Sequence, residues 1–162
     1  MLPAKDKWIH KIIKQGDEMN TIKRTIEITD EMIEDLLCSA FEGGSTYWAN
    51  NVSCEDNEDM KKVGGRKHEY LTKTKKKNAV MLIHTIDDND EIRGYPITKK
   101  WIIEALQKMD DPKYKYTKSL QRILDDNWDA YDSDIVLQTA CFGEVIYGKQ
   151  KRRKNDNDKT DG

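Results

Sequence analysis

Residues 79–111 read AVMLIHTIDDNDEIRGYPITKKWIIEALQKMDD, and three reading rules meet in them. The first eight are almost continuously apolar and rich in strand formers, the pattern of a central strand. DDNDEIRG (87–94) is a turn, and YPIT (95–98) leads to Thr98 as a helix cap. From residue 99 the period changes to that of a helix, with Ile102, Ile103, Leu106 and Met109 inward and a Glu104–Lys108 pair outside. A buried strand passing its chain to an amphipathic helix requires a sheet covered by helices.

The flanks extend this pattern. Upstream, HEYLTKT (68–74) carries strand formers and is joined to the central strand by KKKN. Residues 53–67 form a surface excursion with an acidic patch, CEDNEDM, and a glycine pair at 64 and 65. TIKRTIEI (21–28) alternates as a half-buried strand, with Ile22, Ile26 and Ile28 on one face. Thr29 then caps the clearest helix, whose Ile33, Leu36, Leu37, Ala40 and Phe41 share one face, and Gly43 takes the left-handed position that closes it. Residues 5–15 form a short helix that docks through Trp8, Ile9, Ile12 and Ile13. Downstream, TKSLQRILDD (117–126) is a short helix. Residues 128–148 make a helix apolar on most sides, buried among others, with a close backbone neighbour at its internal Gly143. The expectation is an α+β domain over residues 1–148, a small antiparallel sheet of two to four strands under about four to five helices. Residues 149–162 are expected to form a mobile charged tail.

The chain of 162 residues suits one domain. Charged residues reach 36% but the net charge is −2, which argues against a protein whose whole surface coats DNA. Three cysteines without a CxxC pair point to a reducing cytoplasm. No apolar run approaches a membrane span, and the N-terminus lacks the apolar centre of a secretion signal, so no membrane partner is expected.

Chemical motifs are sparse. Neither GxGxxG, GxxxxGK[ST], GxSxG nor HExxH occurs. DDNDEIRG and DDNWDAYD resemble calcium loops in composition, but Ile92 and Ala130 stand where glycine is needed, so a turn and a helix start are the better reading. Cys38 and Cys141 fall on apolar helix faces, and the acids around Cys54 would raise its pKa. No catalytic residue, metal set or cofactor is assigned.

Three surfaces remain as alternatives. The first is the stretch AFEGGSTYWANN (40–51), where Gly43, Gly44, Ser45, Thr46, Tyr47, Trp48, Asn50 and Asn51, together with Gly143, would line a pocket. Its rings would stack or anchor, and its hydroxyls and amides would supply hydrogen bonds. A plain helix end is the competing reading. The second is a lysine run, Lys61, Lys62, Arg66, Lys67, Lys73, Lys75, Lys76 and Lys77 with Tyr70 among them, the composition of a single-stranded nucleic-acid face or of a guarded edge strand. The third is His84 with a nearby carboxylate, as the base of a small hydrolase.

Two stretches, residues 26–51 and 129–148, together resemble a set of small, largely uncharacterised phage and prophage proteins. In those, a helix ending in EGG with following aromatics precedes a late apolar helix ending FGExxYG. The matching positions are Glu42, Gly43, Gly44, Tyr47 and Trp48, then Phe142, Gly143, Glu144, Tyr147 and Gly148. The resemblance brings no catalytic residues. It implies an accessory factor in the host cytoplasm that acts by stoichiometric binding to a host component, including antiviral systems. The partner would be a host protein or a small nucleotide-like ligand, with nucleic acid as the alternative. Acidic loops at 55–59, 87–91 and 125–134 would then mimic nucleic acid toward a basic host surface.

Overall fold

The structure, a computed structural model, describes residues 25–148. The helix expected at 5–15, the first half of the 21–28 strand and the tail at 149–162 lie outside the described residues.

The architecture is α+β, with a three-stranded antiparallel sheet in the order β1-β2-β3. The strands are β1 (Asn51–Cys54), β2 (Met81–Ile86) and β3 (Ile92–Ile97). The helices are α1 (Asp30–Ser39), α2 (Asn57–Lys62), α3 (Tyr70–Lys73), α4 (Lys99–Met109), α5 (Thr117–Leu124) and α6 (Ala130–Phe142). The central strand and the helix that follows it stand where residues 79–111 put them. β3, however, begins inside the expected turn. Asp87 explains why the turn is shorter: its carboxylate accepts from the N–H groups of Asn89 and Glu91, closing the reversal before Ile92.

Register assigns the faces. Val52, Ile83 and Tyr95 lie side by side, as do Cys54, Met81 and Ile97. On this face Val52, Met81, Ile83 and Ile97 are buried in the core, with Cys54 and Tyr95 half-buried. Asn51, His84 and Gly94 share the opposite face with Ser53, Leu82 and Pro96.

Other expectations needed correction. The described part of the 21–28 segment pairs with no strand. Its alternation is genuine, since Ile26 and Ile28 are half-buried and Thr25 and Glu27 exposed. Ile28, just ahead of the Thr29 cap, packs against the core that holds Ile33, in the position of a hydrophobic staple. HEYLTKT is a 3₁₀ turn (Lys67–Glu69) running into α3 and is not a strand. Local ion pairs hold that turn, because Glu69 receives Arg66 at 3.0 Å and Lys73 at 2.9 Å. The excursion at 53–67 carries the end of β1 and then α2, capped by Asp56. Glu104 pairs with Lys100 at 3.8 Å, while Lys108 donates to the carbonyl of Gly143.

α6 lies at the centre, buried from Asp132 through Thr139. Asp129 caps it in a capping box with Asp132. It ends at Gly143, whose φ of 76° is the left-handed value favoured by glycine. Gly143 therefore terminates the helix and is not inside it. A Cβ there would meet only the Lys108 ammonium within 4 Å, so no neighbouring backbone crowds it.

The glycine that close approach does require is Gly44. α1 ends in a single π turn, Ala40–Gly44, closed by the Ser45 N–H donating to the Ala40 carbonyl at 2.9 Å. Neither Gly43 nor Gly44 has positive φ, so the left-handed closure expected at Gly43 is absent. A Cβ on Gly44 would lie 2.3 Å from the Ala130 carbonyl oxygen, where α6 starts, whereas Gly43 faces open space. Gly44→Ala is expected to cost about 1–3 kcal/mol through overpacking. Gly43→Ala should change stability by less than about 0.5 kcal/mol, as surface substitutions do. Urea denaturation of the two variants checks the contrast.

Candidate functional site

The loop after the π turn is built around a buried carboxylate. Asp134, in the middle of α6, accepts from Ser45 Oγ at 2.8 Å and Trp48 Nε1 at 2.7 Å on one oxygen. Its other oxygen accepts from the Tyr47 hydroxyl at 2.7 Å and Gln138 Nε2 at 2.9 Å. A carboxylate can stay in a core when donors replace its water, and here all four are neutral. Gln138 then extends the network: its carbonyl accepts from the N–H groups of Ile146 at 3.0 Å and Tyr147 at 2.8 Å. Trp48 stacks on Tyr147 with centroids 5.4 Å apart and planes 5° from parallel, and Phe142 leans on both rings.

This arrangement turns the expected ligand loop inward. Trp48 is 3% exposed and belongs to the core, so it offers no free stacking face. Ser45 is buried with its hydroxyl committed to Asp134. The Thr46 hydroxyl donates to the Gly43 carbonyl at 3.1 Å. Asn50 and Asn51 accept from the Ile86 and Val52 N–H groups. Tyr47 is 48% exposed, but burial of its hydroxyl and the bond to Asp134 raise its pKa and tie it down. Gly143 and Gly44 each meet other neighbours, so the structure does not bring the two glycine sites together. The plain helix end is what these residues make.

The lysine run is likewise partly spoken for. Tyr70, expected to stack on bases, is fully buried. Arg66 and Lys73 both reach Glu69, Lys62 pairs with Asp59 and Lys76 with Glu55, while Lys67 leans on Asn51. In the stretch 125–134, Asp132 and Asp134 are buried and add nothing to the surface charge. Cys54 is half-buried with its thiol pushed up to about 11, chiefly by burial rather than by neighbouring acids. Burial also raises the thiols of Cys38 and Cys141. Among the described residues no carboxylate bonds to His84; Ser53 Oγ stands 2.6 Å from its Nε2 instead. Among the described residues no cluster of three metal-ligating side chains occurs, and no helix is long and apolar enough to cross a membrane.

An open groove lies elsewhere. Between α3, the loop that follows it and the start of α4 is a hollow of about 790 Å³. Its walls include Thr72, Thr74, Lys76, Asn78, Lys99, Lys100, Trp101 and Gln107, with one carboxylate, Glu104. A second hollow of about 340 Å³ separates α4 from α6, and Trp101 lines this one too. Trp101 is 39% exposed, with its backbone N–H capped by the Thr98 hydroxyl. The first turn of α4 adds the N–H groups of Lys99 and Lys100, which have no acceptor within their own helix, at the positive end of its dipole. Three lysines line it, and among the described residues each has a surface ion pair: Lys99 with Asp30, Lys100 with Glu104 and Lys76 with Glu55. Such pairs are worth about 0–1 kcal/mol, so a polyanion can displace them. The sequence carried one sign of this groove, a tryptophan on the polar face of an amphipathic helix directly after two lysines.

A scan against protein-family models, a search of curated proteins and a search of solved structures each return no match for this chain.

Proposed function

We propose that this protein acts by stoichiometric binding, and that its ligand is small, anionic and nucleotide-like. The observation that carries this reading is the exposed Trp101 ring on the wall of a lysine-lined groove. A volume of about 790 Å³ falls within the range of about 300–1,000 Å³ typical of small-ligand sites. A base would lie on Trp101, a contact worth about 1–3 kcal/mol. The phosphates would take Lys76, Lys99 and Lys100 with the first N–H groups of α4. Thr74 and Asn78 offer hydrogen bonds to a sugar, while the Thr72 hydroxyl already donates to Glu34. In the accessory-factor setting that the phage resemblance implies, sequestering a host ligand is the mode of action.

Titration calorimetry with ATP, ADP, AMP and pyrophosphate tests this. One site per chain is expected, with pyrophosphate weaker than ADP because it lacks a base. Trp101→Ala should weaken ADP binding by about 5- to 150-fold, the equivalent of the stacking energy. Absence of nucleotide binding by the wild type, or equal affinity of the Trp101 variant, overturns the proposal.

A further inference from the structure

We propose that Ser53 and His84 form a nucleophile–base pair on the open face of the sheet, reactive toward small activated esters. The pair shares no residue with the Trp101 groove and does not depend on it.

The geometry comes from strand register. Asn51 is opposite His84 and Ser53 opposite Leu82, so Ser53 and His84 are diagonal neighbours whose side chains leave the same face. Ser53 Oγ and His84 Nε2 stand 2.6 Å apart, within hydrogen-bond distance and just under the usual N–H···O range of about 2.7–3.2 Å. Two paired strands hold this spacing, a firmer support than a loop. Gly94 is opposite His84 on the third strand. A Cβ there would lie 3.5 Å from the ring's Nδ1, an ordinary van der Waals contact, so the imidazole packs against the β3 backbone at this position. The same face carries a cation: the Lys67 ammonium reaches Asn51 Oδ1 at 3.5 Å, on the Asn51 side of the histidine. The helices pack on the core face formed by Val52, Met81, Ile83 and Ile97, while Ser53 and His84 are only half-buried.

The reaction needs the tautomer with the proton on Nδ1, which leaves Nε2 to accept. Ser53 Oγ adds to the ester carbonyl carbon as its proton passes to Nε2. The carbon–oxygen bond to the leaving alcohol then breaks, and His84 returns the proton to that alcohol. The product is an acyl ester on Ser53. With a phosphonofluoridate, the phosphorus–fluorine bond breaks, the Ser53 oxygen–phosphorus bond forms, and hydrogen fluoride leaves.

A biotinylated phosphonofluoridate applied to the full chain, with adducts mapped by peptide mass spectrometry, is the test. One adduct on Ser53 is expected, absent in Ser53→Ala and slowed on the order of 10²-fold in His84→Gln. Thermal unfolding confirms that both variants stay folded. Nitrogen-15 NMR of the wild type should show Nε2 unprotonated, a readout that needs no variant. No Ser53 adduct, an unchanged rate in His84→Gln, or an Nε2–H tautomer overturns the assignment.

Discussion

Replacing Asp134 by alanine is expected to lower the unfolding free energy by about 3–5 kcal/mol. The substitution takes the shared acceptor from Ser45 Oγ and Trp48 Nε1, both in buried residues, and one acceptor each from Gln138 Nε2 and the Tyr47 hydroxyl, which keep their bond to each other. An unsatisfied buried donor costs about 1–3 kcal/mol, and the four losses do not add because the residues relax together. Relief from desolvating a charge offsets part of the total. Asp134→Asn keeps the shape but supplies a donor where donors already converge, so it should recover little. Trp48→Phe retains an aromatic beside Tyr147 and loses one bond, so a cost of about 1–3 kcal/mol is expected. Urea midpoints for the three variants rank the contributions. An Asp134→Ala protein as stable as the wild type would mean that the network is ornamental.

Arg122→Ala is expected to cost about 1–3 kcal/mol, because it takes the cation from a buried carboxylate while the guanidinium's own 40% exposure lets water replace part of the loss. Asp132 is 0% exposed and accepts from two of the three guanidinium nitrogens, Nη2 at 2.6 Å and Nε at 3.0 and 3.1 Å. Burial alone would raise the Asp132 pKa. Hydrogen bonds from Arg122 and Ser119 and from the Asp129 N–H outweigh it and hold the carboxyl below its ordinary value of 3.8. The sign follows from linkage. A carboxylate with a depressed folded pKa contributes stability that is complete above the unfolded value, near pH 4, and is lost as pH falls through the folded value. The wild type should therefore lose stability progressively below about pH 4. The Arg122→Ala protein should start lower at pH 7 and lose less over the same interval. Urea titrations at pH 7, 4 and 2.5 read both slopes.

The sequence carried the fold further than the site, for a physical reason. Periodicity reports which side of an element is buried, and it located α1, the central strand, α4, α5 and α6. It failed where burial has another cause. Ile26 and Ile28 alternate because one packs ahead of a helix cap, and no ladder forms beside them. Tyr70 and Leu71 are strand formers, yet the ion pairs around Glu69 coil their segment. The loop at 45–48 has the composition of a ligand site. Composition cannot tell a hydroxyl awaiting a ligand from one already bonded to Asp134, 89 residues away. Trp101 gave the opposite signal, an apolar residue on a polar face, and is legible once α4 is drawn as a helix.

The carboxylate hub joins residues 45–48 to α6 and, through Gln138, to the backbone at 146 and 147. On the ribosome, the first half of the chain therefore emerges with an indole that has nowhere to go. Its ring partner Tyr147 and its acceptor Asp134 are translated roughly a hundred residues later, at about 5–20 residues per second. Closure of this domain is thus a late event in synthesis, and the nascent chain must keep Trp48 from foreign surfaces for several seconds.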